Sequence, residues 1–259
     1  MKLVSFNIWG GTIYGPLMDY LRVLSEGTDI FCFQEVFSGL PGVPEVSANG
    51  RMFLFQELAE LLPEFSGFFD PRSSGYDFSN TIKLPVSHGL AIFTRKNLSV
   101  INYRSEIIEA KESLADLVEG WTKAQVITLE NKNHKFSIIN FHGVAQPGDK
   151  QDTPQRIMHA QKLGLIWDSL PGAKKILCGD FNMYPNTESI KILESLGKNL
   201  ITEFGIKNTR NEISWKNNPG SRQTFADFTF VSSGIKIKNF EVPYNEVSDH
   251  LPMILEFEL

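Results

Sequence analysis

The stretch Ile176–Thr187, ILCGDFNMYPNT, constrains this chain more than any other part of it. An apolar run ends in Gly179-Asp180-Phe181-Asn182, and a helix start follows at Asn186-Thr187. A carboxylate and a carboxamide therefore sit just past the C-terminal end of a buried strand. Side chains alternate along a strand, so Asp180 and Asn182 share one side while Phe181 takes the other. Held over a sheet edge, such a pair grips a water and a phosphate oxygen together. Read alone, GDFN serves equally well as a turn, where Asp and Asn bond their own backbone. Recurrence is what separates the two readings. Apolar runs followed by Asn7, Glu35, His142, Asp180, Asn182, Asp227, Asp249 and His250 appear along the whole chain.

Periodicity places strands at Leu3–Phe6, Asp29–Phe33, Phe65–Phe69, Leu90–Thr94 and Ser99–Arg104. Further strands are expected at Lys175–Cys178, Phe228–Val231, Ile235–Val242 and Met253–Phe257. Thr122–Glu130 and Lys135–Asn140 read as a hairpin across Asn131-Lys132-Asn133. Helices are expected at Pro16–Ser25, Phe53–Leu62, from Asp152-Thr153-Pro154 to about Leu170, and at Thr187–Leu196. Ser38–Asn49 and Arg72–Thr81 read as loops, and Ile107–Leu117 as a short helix or loop. Hairpins imply antiparallel pairing, and strand-helix-strand segments add crossovers. This is an α/β (α+β) pattern of two packed, mainly antiparallel sheets with helices outside. Without a repeat, low-complexity tract or linker, residues 1–259 are read as one domain.

The length of 259 residues supports a large core, so neither disulfides nor a structural metal is required. A formal net charge of -5 disfavours a general electrostatic grip on duplex nucleic acid but permits a local basic patch. Cys32 and Cys178 lie in apolar runs without CxxC or Cys/His spacing. They are expected to be buried and reduced, which fits a cytoplasmic location and argues against zinc. No apolar run is long enough to span a membrane, and the strand beginning at Lys2 leaves no room for a signal peptide.

Strand ends of packed sheets converge at one edge, so their polar tips converge too. Several carboxylates and amides with no thiolate form a hard-cation site suited to Mg²⁺ or Mn²⁺. Two histidines beside it supply donors that titrate near neutral pH. Charge neutralisation, an oriented water and a donor to the leaving oxygen are the needs of metal-assisted phosphoester hydrolysis.

SFNIWG, FQEV, NFHG, GDFN, ADFTFV and SDHLP, in that order, resemble the endonuclease/exonuclease/phosphatase superfamily with the DNase I-like fold. The resemblance spans Asn7–His250 and implies a four-layer α/β sandwich with its active site at one end of two sheets. It implies Glu35 as the main metal ligand, with Asn7 close by and Asp249 helping. Asp180 would orient or deprotonate the attacking water, and Asn182 would hold it or the phosphate. His250 would contact the phosphate with Asp227 fixing its tautomer, and His142 would stabilise the pentacovalent phosphorus. His88 matches a position at the start of a strand that often carries an active-site polar residue, and it serves equally well as a surface histidine.

The motifs define phosphoester chemistry and leave the substrate to the loops Gly39–Arg51, Pro71–Val86, Ala145–Thr153 and Lys207–Gln223. The last carries Lys207, Arg210, Lys216 and Arg222 against Glu212. With Trp215 for stacking and Arg210 on flanking phosphates, it would suit single-stranded nucleic acid. The leading expectation is a monomeric, nuclease-like phosphodiesterase. Its alternatives are an esterase of a small phosphorylated metabolite or lipid headgroup, and a catalytically idle binding module.

Overall fold

The structure is a computed structural model that describes residues 1–47, 50–76, 83–111, 119–213, 215–216, 220 and 222–259. Its first half holds β1 (Lys2–Asn7), α1 (Tyr14–Ser25), β2 (Ile30–Gly39), β3 (Val46–Ser47), β4 (Gly50–Arg51), α2 (Leu54–Leu61), β5 (Phe65–Tyr76), β6 (Lys83–Arg95), β7 (Ser99–Lys111) and β8 (Glu119–Asn131). The second half holds β9 (His134–His142), α3 (Pro154–Ser169), β10 (Lys175–Asp180), α4 (Glu188–Glu194), β11 (Lys198–Asn199), α5 (Leu200–Glu203), β12 (Asp227–Val231), β13 (Lys236–Glu241) and β14 (Met253–Glu258).

Two mixed sheets of six strands result. One runs β13-β14-β1-β2-β6-β5 and the other β11-β12-β10-β9-β8-β7. They meet where β5 pairs with β8 at Ser73 and Ser74. Pairing is antiparallel except for β1 with β2 and β9 with β10, the two crossovers that carry α1 and α3.

Strand alternation builds the layers. Val4, Phe6, Phe31 and Phe33 turn outward onto Leu17 and Leu21 of α1 and Leu54 and Leu58 of α2. Leu3, Ile30, Cys32 and Leu255 turn inward and share a core with Ile127, Ile139, Cys178 and Phe228. Leu163 and Trp167 of α3 and Ile190 and Leu193 of α4 cover the second sheet's outer side. Phe31 and Phe33 stack with centroids 5.1 Å apart, so truncating either to Ala should cost about 3–5 kcal/mol. Both cysteines are free and buried. Among the described residues no helix is long and apolar enough to cross a membrane.

Three expected boundaries move. Strand β2 runs on past Glu35 to Gly39, with a register shift between Phe33 and Val36. Strands β5 and β6 are far longer than the apolar runs alone suggested, so Arg72 belongs to a strand and His88 lies inside one. Pro71 sits at a register shift, where a missing N–H is tolerated, which is why the strand reads as a loop. Ile107–Lys111 belong to β7, so the expected helix or loop there is replaced by strand; residues 112–118 lie outside the described residues, as do residues 77–82 of the expected Pro71–Val86 loop.

Candidate active site

Register brings the strand-end residues together. Asp180 on β10 is the direct partner of His142 on β9 and of Asp227 on β12, and Asn7 on β1 is the partner of Gln34 on β2. Directly opposed residues have their Cβ atoms only ~5 Å apart, so the three functional side chains of the second sheet are adjacent by construction. Gly179 permits this. Its φ is +139°, and a Cβ there would lie 1.9 Å from the Phe141 carbonyl oxygen.

Glu35 reaches the cluster because β2 bulges at it. With φ 58° it occupies the left-handed region, unusual for a non-glycine residue, and two successive polar side chains are thereby sent different ways. Gln34 turns inward, and its Nε2 donates to Asn140 Oδ1 at 2.6 Å. Asn140 Nδ2 donates to Gln125 Oε1 at 3.2 Å, and Gln125 Nε2 to the Phe68 carbonyl at 2.7 Å. This buried amide relay laces the two sheets behind the site, with Gln34 Oε1 the one relay atom that has no hydrogen-bond partner among the described residues.

In front of the relay, Asn7 Nδ2 donates to Glu35 Oε1 and Asp180 Oδ2, both at 3.0 Å, while its Oδ1 accepts the Trp9 amide at 3.0 Å. Two carboxylates require the amide's nitrogen, so here Asn7 is a strut between them and its oxygen is occupied. His142 Nε2 lies 3.5 Å from Asp180 Oδ2 and 3.9 Å from Glu35 Oε1. His250 Nδ1 is 2.9 Å from Asp227 Oδ2, and its Nε2 is 3.7 Å from Asp180 Oδ2. Asn182, with φ 56°, has its amide nitrogen donating to Asp180 Oδ1 at 2.8 Å.

The electrostatics divide the two imidazoles. Burial works against a charged His250, but Asp227 outweighs it and the group is pushed up to about 9. Burial, reinforced by Arg72, drives His142 well below its ordinary value, so this ring is neutral. His88 is pushed down to about 3 by burial and Arg72. Asp180 is held at about 2: burial opposes ionisation, but His250, His142, Lys150 and Arg210 prevail. Glu35 is raised by burial and then by Asp249.

Crowded carboxylates of this kind fit a hard cation. Ligand atoms of Glu35, His142 and Asp180 lie within 4.8 Å of one another, as do those of Asp180, Asp227 and His250. Oδ1 of Asp249 and Nδ1 of His142 are buried without a hydrogen-bond partner among the described residues.

Two residues expected to contact substrate are engaged within the fold. Trp215 is buried, with 7% of its surface exposed, so it presents no ring for stacking. Arg210 pairs with Asp249 through Nη2, bonds Gln223 Oε1 at 3.2 Å and bridges His250 through its backbone. The segment around it is knitted inward: Thr209 Oγ1 accepts the amides of Ala226 and Asp227, and Asn211 accepts the Ile213 amide while donating to the Asn245 and Ser248 carbonyls. It therefore braces the Ser248-Asp249-His250 loop. Residues 214, 217–219 and 221 of that expected loop lie outside the described residues.

Sequence reasoning missed two cations. Lys150 is buried, with φ 58°, and its Nζ donates to Asn182 Oδ1. Its loop is pinned by Arg156, which donates to the Pro147 carbonyl at 2.7 Å and to Gln151, and by Asp152, which accepts the Glu188 and Ser189 amides at the start of α4. The only signal was a lysine just before a helix cap. Arg72 lines a cavity of ≈ 270 Å³ with Glu35, His88, Trp121 and His142, so His88 belongs to the site's wall. A larger hollow of ≈ 630 Å³, lined by Lys198, Phe204 and Val231, lies at the far end of β12 from Asp227.

A family model described as the endonuclease/exonuclease/phosphatase family matches residues 4–250. No curated protein matches the chain by sequence. Among solved structures, an endonuclease/exonuclease/phosphatase from Bacteroides vulgatus is similar with a TM-score of 0.73 at 18% identity, covering 100% of this chain and 98% of that one. A Bacteroides thetaiotaomicron mannosyl-6-phosphatase gives 0.67 at 18% identity, covering 100% of both. The human Nocturnin catalytic domain with bound sulfate gives 0.67 at 22% identity, covering 100% of this chain and 93% of that one. At these identities the structural likeness speaks for the fold, and the family model, matched over nearly the whole length, places the chain in the endonuclease/exonuclease/phosphatase family.

Proposed function

We propose that the protein is a divalent-cation-dependent phosphoesterase acting on a small phosphorylated compound. The observation that carries this is the convergence of Glu35, His142, Asp180, Asp227 and His250 within one cluster. Glu35 would be the main holder of Mg²⁺ or Mn²⁺, with Asp249 Oδ1, which makes no hydrogen bond among the described residues, and His142 Nε2, which faces Glu35 and Asp180, as nearby donors. When bound, the cation supplies charge neutralisation at the phosphoryl oxygens.

The remaining roles follow from each group's charge state. An aspartate at about 2 is a poor proton acceptor, so Asp180 orients the attacking water and does not deprotonate it. His250, kept protonated by Asp227, donates from Nε2 to a phosphoryl oxygen. Lys150 has only hydrogens to give, so the Asn182 amide must turn its oxygen toward Lys150. Its nitrogen gives one hydrogen to the Gly143 carbonyl at 3.4 Å and keeps the other to donate to phosphate. His142 contributes a neutral ring beside Asp180.

A small substrate is favoured because the contacts expected for a polynucleotide, Arg210 and Trp215, are turned inward. The nucleic-acid reading retains Lys207, Lys216 and Arg222, which are exposed. A panel with Mg²⁺ or Mn²⁺ separates the two: sugar phosphates, inositol phosphates, p-nitrophenyl phosphate, bis-p-nitrophenyl phosphate, tyrosyl-DNA, single-stranded DNA and RNA. Chelator-sensitive turnover of the small esters is expected. Turnover confined to polynucleotides would reject the small-substrate reading, and full activity in EDTA would reject the cation.

A further inference from the structure

The cavity beside Glu35 and His142 contains a cation that no carboxylate holds among the described residues. Arg72 is only partly exposed, and its Nε donates to the Trp121 carbonyl at 3.3 Å. Neither Nη makes a hydrogen bond, and the residue forms no ion pair, among the described residues. The neighbouring carboxylates each have one oxygen engaged elsewhere, Asp70 Oδ1 with Lys123 Nζ at 3.2 Å and Glu35 Oε1 with Asn7 at 3.0 Å, while Asp70 Oδ2 is buried without a hydrogen bond among the described residues. A guanidinium drawn out of water without a counter-ion is costly to the fold. Burial lowers it, against the pull of Asp180, Glu35 and Asp70, only to about 10, so it stays charged at neutral pH.

We propose that this cavity is an anion subsite in which the free fork of Arg72 receives a phosphate group of the substrate. The planar fork matches two phosphate oxygens at once. Ser73, Trp121 and Thr122 complete the wall, and a volume of ≈ 270 Å³ suits a group of about sugar-phosphate size. Two sources present the same oxygens: the phosphate being cleaved, or a second phosphate on the leaving portion. The proposal rests on the phosphoesterase reading for its substrate and on Arg72 alone for its binding.

The test uses inorganic phosphate as the probe, titrated calorimetrically into the Mg²⁺-supplemented protein. Arg72→Met should weaken binding at least about tenfold, and Arg72→Lys should recover part of it, because charge returns without the fork. Kinetics on p-nitrophenyl phosphate and a sugar bisphosphate then locate the source. Equal loss of kcat/KM on both assigns Arg72 to the cleaved phosphate. Loss confined to the bisphosphate, chiefly in KM, assigns it to a second one. Phosphate affinity and both activities at parental values in a folded Arg72→Met variant would overturn the subsite while leaving the phosphoesterase standing. Arg72-dependent phosphate binding in a protein that cleaves nothing would support the subsite and reject the activity. Should the Met variant not fold, the Arg72 Nε–H resonance of the parent serves instead: it should shift as phosphate is added, and an unmoved resonance at saturating phosphate overturns the proposal.

Discussion

Replacing Asp227 by Asn tests the best-defined electrostatic relation in the site. The carboxylate lies 2.9 Å from His250 Nδ1 and holds the imidazolium up to about 9, against burial. An amide keeps the shape and removes the charge. At pH 8 a group at about 9 is ~90% protonated, whereas an ordinary histidine at about 6.5 is ~3% protonated. If turnover requires the His250 Nε2 proton as donor in the charged ring, Asp227→Asn should lose about 30-fold in kcat at pH 8 and far less at pH 6. The loss at pH 8 is a lower limit, since uncompensated burial depresses the ring further.

The assay is a pH–rate profile of both proteins from pH 5.5 to 9.5, with imidazole resonances followed by NMR. The alkaline limb should move from near 9 to 6.5 or below. Stability should follow the same group. With its folded value raised, His250 contributes fully below about 6.5 and loses that contribution as pH rises through about 9. The parent's melting temperature should therefore decline over that window and the variant's should not. A loss of equal size at every pH would refute the charge argument and reduce Asp227 to holding the ring's orientation.

Glu35→Gln should abolish the rise in melting temperature that Mg²⁺ gives the parent, read by scanning calorimetry, while leaving the fold intact in metal-free buffer. Lys150→Met and Asn182→Ala should each lower kcat, and the double variant should match Asn182→Ala alone, because the lysine acts through the Asn182 amide; additive losses would contradict that route. Arg210→Ala should reduce activity on a minimal phosphoester as much as on a larger one, since it braces Asp249 and not a distant part of the substrate; kinetics on the two substrates decide.

The convergence of the polar strand ends was legible because apolar runs ending in one polar residue mark strand ends, and strand ends of packed sheets meet. Asp180, His142 and Asp227 are neighbours for that reason alone. Arg72 was not legible. Pro71 and the Ser-Gly run after it suppress the apolar alternation that marks a strand, and pairing with β6 and β8 overrides that local signal. The inward bonding around Arg210 and the burial of Trp215 were not legible for the opposite reason. The composition of their segment is polar, but Thr209 and Asn211 spend that polarity on the chain's own backbone. A sequence states which groups are available to bond, and only the fold states whether the partner is substrate or protein.

The charges around the site carry the argument one step further. Glu35, Asp180, Asp227 and Asp249 face His250, Lys150, Arg210 and Arg72, while His142 and His88 remain neutral. Carboxylates and cations are thus equal in number. The cluster tolerates its burial because ion pairs and hydrogen bonds run throughout it. A divalent cation would hold Glu35 ionised and leave an excess of two positive charges. A phosphomonoester dianion cancels that excess, whereas a diester brings one negative charge and leaves the other uncompensated in a buried setting. Of the site's cations, Arg72 and Lys150 have no carboxylate partner among the described residues, and Arg72 is the one that stands in the cavity that opens beside Glu35. Charge balance and cavity therefore favour the same class of substrate, a small phosphomonoester. On that reasoning kcat/KM should be higher for p-nitrophenyl phosphate than for bis-p-nitrophenyl phosphate at pH 8, where the monoester is a dianion. The preference should narrow in Arg72→Met, and a parental preference for the diester would refute the charge argument.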